Sequence, residues 1–374
     1  MLIKNWDQRY VSILVLLDYS KAFDKINHEL LYAKLQFFGF NVKSLNMIRS
    51  FLSNRDQLVI SNNMFSEVGK VSSGVPQGSI LGPLLYILYT ADLATVIKHS
   101  TICSYADDTQ LIFKFKPTEP EDTILLNSDL DAVCNYSLRH NLTINTEKSN
   151  VMLFAPPKIR DSLKNIVTVK LTGNDLNWTV SARILGIYFD HDLRFKSHIS
   201  HLLHSVYLRL KISYAFRFLL NFKIKKKLME SLIFSVLSYG ITVYYPCLDS
   251  IHKSRLQKIQ NSCCRFTFNI RKYDHLSEKF KTLCWLNVPN TYDYHVLTFI
   301  HRILESRKPD YLIEKFKPLS NRHEHNTRSG NIFLIPEHTT ALFKRCFNYN
   351  AIKLYNDVSR NIKNFTIARF KKYV

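Results

Sequence analysis

Three aspartates stand out in this 374-residue chain as candidate metal ligands. Asp107 and Asp108 are adjacent and lie between two short runs typical of β-strands, and Asp18 ends an apolar run typical of a buried strand. Adjacent carboxylates in a tight turn repel each other and add nothing to a core, but a divalent cation would neutralise them. If one sheet brings the three together, their oxygens form the ligand set that Mg²⁺ prefers for phosphoryl transfer.

The elements that must position these aspartates can be predicted from periodicity. Strands are expected at residues 11–17, 102–105, 109–113, 150–154 and 183–187, and a hairpin around residues 61–63. Helices are expected at residues 28–38, 44–52, 79–98, 122–140, 197–220, 223–237 and 251–266. This order of strand, helices, hairpin, helix and strand indicates an α+β fold with a split βαβ sheet, followed by a helical continuation.

Five short segments follow one another in a fixed order. They are DYSKAFD (18–24), GVPQGSILGPL (74–84), YADD (105–108), NTEKS (145–149) and LGI (185–187). In this order and spacing they closely resemble the palm motifs of reverse transcriptases, and the first two look like the non-LTR (LINE-type, jockey-like) retrotransposon branch. The resemblance covers roughly residues 10–270, and a weaker one lies in the Asn-Thr-Arg-Ser segment at 326–329.

The resemblance assigns metal and phosphate chemistry to four residues. It implies that Asp18 and Asp107 bridge two Mg²⁺ ions, with Mn²⁺ as an alternative, and that Asp108 is a supporting ligand. It also places Lys148 near the leaving pyrophosphate, as a general acid or an electrostatic partner. Read without the motif, Lys148 is nearly as well explained as a solvated lysine.

The resemblance also assigns residues that contact substrates. An aromatic ring at Phe23 would be a steric gate that excludes a 2′-hydroxyl, although the residue alone reads as core packing. Gln77 and Gly78 would contact the incoming nucleotide, in a glycine-rich loop that leads into a helix. Leu185 and Gly186 would form the primer-grip turn. The sequence predicts a structural role for Asp24, as a cap of the following helix.

Charge is divided unevenly along the chain. Lys and Arg total 51 against 30 Asp and Glu, which gives a formal net charge of +21. Residues 1–150 carry 14 basic and 15 acidic side chains, whereas residues 151–374 carry 37 and 15. A metal site in the near-neutral first part and a strongly basic second part suit an enzyme that acts on nucleic acid. The alternative is that the basic part is a solvated surface that binds no partner.

The helical part contains the densest basic stretch, interleaved with aromatic residues. This pattern suits a surface that tracks phosphates, although a chain with 20 Tyr and 25 Phe produces some interleaving by composition alone. The candidate nucleic-acid-binding residues are Arg209, Lys211, Arg217, Lys223, Lys225, Lys226 and Lys227.

The resulting prediction is a polymerase in three regions. Residues 1–190 are predicted to be a reverse transcriptase palm with partial fingers, 191–270 a helical basic thumb, and 271–374 a helical region without an assigned role. The resemblance implies an RNA-directed DNA polymerase whose partners are an RNA template, a DNA primer or target and deoxynucleoside triphosphates; protein partners stay open. The alternatives are a catalytically inactive nucleic-acid-binding remnant and a structural or protein-interaction domain that reuses the fold.

Three further expectations concern the context of the chain. About ten residues precede the first palm strand, so we expect a truncated copy with incomplete fingers and weak or no activity alone. Seven irregularly spaced Cys without a Cys-x-x-Cys pair, and no signal peptide, indicate an intracellular protein in the nucleus or cytoplasm, not a secreted one. The apolar stretch 231–245 is short and precedes Pro246, which favours a buried helix over a membrane span.

Overall fold

The computed structural model describes residues 1–319 and 332–374, so the Asn-Thr-Arg-Ser segment at 326–329 lies outside the described residues. The chain forms two compact units that divide between Leu185 and Gly186. The first contains Leu2 and Lys4–Leu185, and the second contains Met1, Ile3 and Gly186–Val374. This division lies close to the predicted boundary at residue 190.

The first part of the chain mixes helices and strands. Its helices are α1 (Leu2–Asp7), α2 (His28–Phe37), α3 (Val42–Leu52), α4 (Leu81–Thr90), α5 (Thr123–Arg139) and α6 (Pro157–Ile166). Its strands are β1 (Val11–Leu17), β2 (Tyr19–Ser20), β3 (Arg55–Gln57), β4 (Ile60–Ser61), β5 (Met64–Phe65), β6 (Gly69–Val71), β7 (Thr101–Tyr105), β8 (Asp108–Phe115), β9 (Thr143–Ile144), β10 (Asn150–Phe154), β11 (Lys170–Leu171), β12 (Asn174–Asp175) and β13 (Ser181–Ile184).

A four-stranded antiparallel sheet in the order β10-β1-β8-β7 organises this unit. β1 lies between two partners because its sequence, VSILVLL, is apolar on both faces, and six of its seven residues are buried. The polar residue in this run, Ser12, accepts a hydrogen bond from Asn5 Nδ2 at 2.9 Å, so its hydroxyl is satisfied. The register runs from Val11↔Phe115 to Leu17↔Thr109 on one side and from Ser12↔Phe154 to Leu16↔Asn150 on the other.

Two apolar clusters support the sheet and the helices beside it. One joins β1, β8 and β10 to α5, and the other joins α2, α3 and α4 to the segment after β1. A half-buried polar network links these helices: Lys34 Nζ donates to Asp92 Oδ1 at 2.6 Å, to the Tyr136 hydroxyl at 3.1 Å and to the Tyr89 carbonyl at 2.5 Å. Burial lowers the pKa of Lys34, and its bond to Asp92 opposes that shift.

The second unit is helical. It contains β14 (Ile187–Asp190), α7 (Lys196–Ala215), α8 (Phe222–Met229), α9 (Ser235–Ser238), α10 (Ile241–Tyr244), α11 (Ser250–Phe268), α12 (Ser277–Leu283), α13 (Val288–Ser306), α14 (Asp310–Ile313), α15 (Phe347–Asp357), α16 (Arg360–Lys363) and α17 (Ile367–Phe370). A π-helical turn, Glu230–Phe234, connects α8 to α9. One apolar core runs from Ile187 to Phe370, so the predicted separation after residue 270 is not seen: side chains from both sides of it pack together.

Some predicted elements have different bounds. The helix expected at 79–98 is α4 followed by the 3₁₀ segment Ala91–Val96, and the single strand expected at 183–187 is two strands, β13 and β14, separated by Leu185 and Gly186. Both of these residues have positive φ, which a continuous strand does not allow.

The apolar segment at 231–245 contributes Ile233, Leu237 and Tyr244 to the core of the second unit. In the described part of the chain, no single helix is long and apolar enough to cross a membrane; the stretches Phe222–Ser238 and Ile241–Cys247, bent by 44°, reach that length and composition only together.

The Lys34 network gives a prediction about stability. Lys34→Met keeps the aliphatic stem but leaves Asp92 without its cation, and Asp92 is 42% exposed, which reduces the cost. We expect a loss of about 2 kcal/mol in the free energy of unfolding, measured by chemical denaturation. Lys281→Met, which breaks the exposed Lys281–Glu278 pair, is the matched control and should change nothing measurable. Equal effects of the two changes would contradict this account.

Candidate active site

The register of β1 places Asp18 beside Asp108 at one end of the sheet. Leu17 pairs with Thr109, so Asp18 and Asp108 are the next residues at the same end of the sheet. The pairing on the other side of β1 ends at Leu16↔Asn150, and Lys148 lies in the loop that precedes Asn150. Asp18, Asp108 and Lys148 line one open cleft of about 330 Å³, which brings these predicted residues together. Arg183 lines the same cleft, and no motif in the sequence singles it out.

Hydrogen bonds fix the backbone of Asp18 to the loop that carries Lys148. Asp18 N donates to Ser149 Oγ at 3.2 Å, and Asn145 N donates to the Asp18 carbonyl at 2.7 Å. Asn145 Oδ1 in turn accepts from the backbone N–H groups of Glu147 and Lys148, each at 3.1 Å. The loop conformation and the position of Asp18 are therefore coupled.

The two adjacent aspartates occupy different positions. Asp108 is the first residue of β8 and pairs with Tyr105, so the turn consists of Ala106 and Asp107 alone. Ala106 adopts the left-handed region at φ 53°. The expectation that both aspartates lie in the turn is therefore wrong for Asp108. Asp107 lines a second cleft, of about 430 Å³, beside the first.

The electrostatics of the three carboxylates suit a cation. Burial raises the pKa of Asp108, and the negative charges of Asp107 and Asp18 raise it further. Hard carboxylate oxygens under mutual repulsion are the donor set that Mg²⁺ takes. Within residues 1–319 and 332–374, no three His, Cys, Asp or Glu side chains are already gathered closely enough to hold a metal ion. Asp18 and Asp108 line one cleft and Asp107 lines the other, and their carboxylate oxygens are of the donor type that a divalent cation prefers.

The second cleft contains the predicted nucleotide-contacting residues. Phe23, Gln77, Gly78 and Asp107 line it together with Tyr19. The ring of Phe23 packs against the buried ring of Tyr86, at 4.7 Å between centroids and 31° between planes. Phe23 therefore has one face on the core and also borders the cleft. Burial raises the pKa of Tyr86, so its hydroxyl stays protonated beside Asp107, whose charge adds to the shift.

Asp24 positions Gln77, which differs from the predicted helix cap. Gln77 Nε2 donates to Asp24 Oδ1 at 2.9 Å, whereas the cap of α2 is Asn27, whose Oδ1 accepts from Leu30 N. Gly74 allows this contact because a Cβ there would lie 2.7 Å from Asp24 Cα. The two motifs that contain Asp24 and Gln77 are thus joined directly. In the sequence, the position of Asp24 next to Phe23 was the signal that could have indicated a role at the site.

The predicted primer-grip residues form the turn between β13 and β14. Leu185 has φ 46° and Gly186 has φ 83°. A Cβ at Gly186 would lie 3.2 Å from the ring of Tyr239, so a larger residue would meet both backbone strain and this ring.

The predicted basic residues all lie in the second unit, but one of them is not on its surface. Lys225 is 2% exposed, and its Nζ donates to Asn269 Oδ1 at 2.8 Å. The prediction that Lys225 contacts nucleic acid is therefore wrong: its ammonium group is used inside the protein, and burial lowers its pKa. Arg209 donates to the Leu232 carbonyl, Arg217 donates to Asn269, and Lys226 pairs with Glu230 at 3.7 Å. Lys211, Lys223 and Lys227 are exposed.

Comparisons with known proteins agree with these motifs. The family model described as "Reverse transcriptase (RNA-dependent DNA polymerase)" matches residues 3–189. The chain is 31% identical over 238 residues to the RNA-directed DNA polymerase from mobile element jockey of Drosophila funebris, and 30% identical over 255 residues to that of Drosophila melanogaster. It is 26% identical over 277 residues to the probable RNA-directed DNA polymerase from transposon BS of Drosophila melanogaster.

These alignments cover 61%, 65% and 71% of this chain but 25%, 26% and 30% of the relatives. The chain thus spans between a quarter and a third of the length of the curated relatives that it matches. The family match, by contrast, takes in half of the chain, including β1, the Asp107 turn and the Lys148 loop. The chain therefore belongs to the reverse transcriptase (RNA-dependent DNA polymerase) family, in its jockey-like non-LTR retrotransposon branch.

Proposed function

We propose that this chain provides the catalytic palm of an RNA-directed DNA polymerase, which adds deoxynucleotides to a primer 3′ end on an RNA template. The observation that carries the proposal is the cleft at the end of β1, which is lined by Asp18, Asp108 and Lys148. Asp107 faces the adjoining cleft, so the carboxylates stand where two substrate sites would meet. This arrangement suits a reaction between a primer end and a nucleotide.

Asp18, Asp107 and Asp108 would hold the two Mg²⁺ ions of this reaction, with Mn²⁺ as the alternative. Bound there, the ions would lower the pKa of the primer hydroxyl and stabilise charge on the transferred phosphate. Lys148 lines the same cleft as Asp18 and is exposed. Its ammonium group can donate a proton to the departing pyrophosphate or stabilise the negative charge of that group.

The second cleft would select and orient the nucleotide. Phe23 is supported from behind by Tyr86, so its ring cannot retreat from a 2′-hydroxyl without disturbing the core. Deoxynucleotides, which lack that hydroxyl, would be preferred. Gln77, held by Asp24, would present its amide to the nucleotide, and Gly78 leaves the backbone accessible in the same cleft.

The second unit would act as a helical thumb that holds nucleic acid. Support comes from the exposed cations Lys211, Lys223 and Lys227, which lie in a part of the chain rich in positive charge. Arg209, Arg217 and Lys226 would assist, although each also has a partner within the protein. The turn at Leu185 and Gly186 would contact the primer. Binding by such a surface should weaken steeply as salt rises.

Primer extension tests the polymerase assignment. With Mg²⁺, an RNA template and a DNA primer, Asp107→Asn should abolish nucleotide incorporation while binding of the template-primer stays near that of the parent. The loss follows because the variant lacks a metal ligand needed only for the chemical step. Asp175→Asn, a change in the exposed β12 turn, is the control and should extend like the parent. Undiminished extension by Asp107→Asn would contradict the assignment.

The raised pKa of Asp108 predicts a stability effect that does not depend on activity. A carboxylate whose folded pKa lies above its unfolded value costs stability when ionised, and this cost disappears as pH falls below both values. Asp108→Asn should therefore raise the Tm slightly at pH 7, by about 1 °C, because Asp108 is mostly solvated.

The gain should vanish near pH 3, below the ordinary pKa of an aspartate. Mg²⁺ should raise the Tm of the parent more than that of the variant, since it binds the three-carboxylate site. Calorimetric scans at both pH values, with and without Mg²⁺, measure these differences. Identical Mg²⁺ responses would argue against Asp108 as a ligand.

The contact between Asp24 and Gln77 predicts a selective effect on nucleotide binding. Asp24→Ala removes the acceptor for Gln77 Nε2, so the KM for the deoxynucleotide should rise about fivefold, the value of one hydrogen bond. Asp24→Asn keeps an oxygen acceptor and should stay close to the parent. If Gln77 transmits the effect, Gln77→Ala should raise the KM at least as much as Asp24→Ala, and the double variant should show the same KM as Gln77→Ala. Additive losses would show that Asp24 acts by another route.

A further inference from the structure

The turn between α7 and α8 exposes a group of large apolar side chains. We call Phe216, Phe218, Leu219 and Phe222 the aromatic tip; their exposed fractions are 51%, 84%, 81% and 42%. Exposing several large apolar groups together is costly unless something covers them. The tip lies within the second unit, and none of its residues lines either cleft, so the mechanism above leaves it unexplained.

The turn that carries the tip is well held. Arg217 N and Leu219 N donate to the carbonyls of Tyr214 and Phe216, at 3.2 and 3.0 Å. Tyr214 and Leu220, on either side of the exposed residues, pack against the core of the second unit. Asn221 caps α8 through its bond from Ile224 N at 3.0 Å. The outward position of Phe218 is thus set by ordered neighbours, and a rigid ring loses little entropy when it binds a partner.

A guanidinium group is fixed against the tip. Arg217 lies over the rings of Tyr214 and Phe218, with 5.6 and 5.0 Å to their centroids. Its Nε donates to Asn269 Oδ1 at 3.4 Å, and the buried Lys225 donates to the same oxygen at 2.8 Å. Lys225 therefore holds Asn269 in place from inside the protein, and Asn269 in turn accepts the hydrogen bond from Arg217. The rings of Tyr214 and Phe218 and the guanidinium group of Arg217 thus form a preorganised set of planar groups.

Charge around the tip identifies the class of partner. Residues 193–229 contain nine Lys or Arg and no Asp or Glu. Exposed Lys223 and Lys227 follow the tip directly on α8. An apolar surface in a stretch whose Lys, Arg, Asp and Glu side chains are all basic is complementary to a polyanion that also has flat apolar faces. Unpaired nucleotides have this combination, because each phosphate is followed by a base that can stack on an aromatic ring.

We propose that the aromatic tip binds unpaired bases of single-stranded RNA by stacking, with Phe218 as the main platform and with Arg217, Lys223 and Lys227 on the flanking phosphates. The choice of RNA rests on the proposed function, in which the template is the strand with unpaired nucleotides. Duplex RNA keeps its bases stacked on one another, so it would meet the cations but not the tip.

The test is fluorescence anisotropy with the full chain and three probes: a short single-stranded RNA, the same strand with abasic sites, and the RNA duplex. Phe218→Ala should weaken binding of the intact single strand on the order of tenfold and leave the other two affinities unchanged. Phe218→Trp should bind like the parent, and Phe218→Leu should be as weak as Phe218→Ala because it cannot stack. Phe37→Ala, at an 86% exposed ring in the first unit, is the control and should have no effect.

Two results would overturn the proposal. Parent-like binding by Phe218→Leu would show that the tip is a general apolar surface, as a protein partner or a second copy would use. An equal loss on the abasic strand would show that only phosphates are contacted. No Mg²⁺ or nucleotide enters this assay, so a chain that shows the stacking pattern while Asp107→Asn extends primers like the parent contradicts the polymerase proposal alone. A chain that extends primers without the pattern contradicts the stacking proposal alone.

Discussion

The pairing of β1 with two antiparallel neighbours is the constraint on which the candidate active site depends. Leu17↔Thr109 fixes where Asp18 stands relative to Asp108, and Leu16↔Asn150 anchors one end of the loop that carries Lys148. A slip of one residue would turn every side chain of β1 to the other face, and Asp18 would leave the cleft. The apolar residues of β1 prevent such a slip, because nearly all of them are buried. The core of the unit thus holds the chemistry in place.

The candidate site holds carboxylates that repel one another, and neighbouring hydrogen bonds and packing hold them in place. Burial raises the pKa of Asp108, and the charges of Asp107 and Asp18 raise it further, so the ionised form of Asp108 is disfavoured. The support comes from backbone contacts around Asp18 and from the polar bond between Asp24 and Gln77, which ties two motifs together across 53 positions of sequence. Phe23 and Tyr86 give the neighbouring wall a rigid apolar backing. Groups that disfavour each other are therefore placed on a framework that cannot easily relax.

The sequence predicted the strands at the site well because their signals are local. β1 and β10 have the predicted bounds, since runs such as VSILVLL and NVMLF carry enough apolar character alone. Sequence alone could not show that Asp24 contacts Gln77 or that Lys225 is buried, because both depend on residues brought close by tertiary packing. A run of four lysines among five residues reads as surface, yet one of them points inward to Asn269. Helix ends were less predictable, as 3₁₀ turns after α4 illustrate.

The central position of β1 also affects how the protein is made. Its partners are distant in sequence: Val11 pairs with Phe115, and Ser12 pairs with Phe154. At a typical elongation rate of roughly 5–20 residues per second, β1 would wait on the order of ten seconds before β10 leaves the ribosome. Both edges of this strongly apolar strand stay open until β8 is made, and one edge stays open until β10 follows; open edges favour intermolecular pairing. Nascent chains of this protein should therefore depend on chaperones that shelter the first strand until its second neighbour is synthesised.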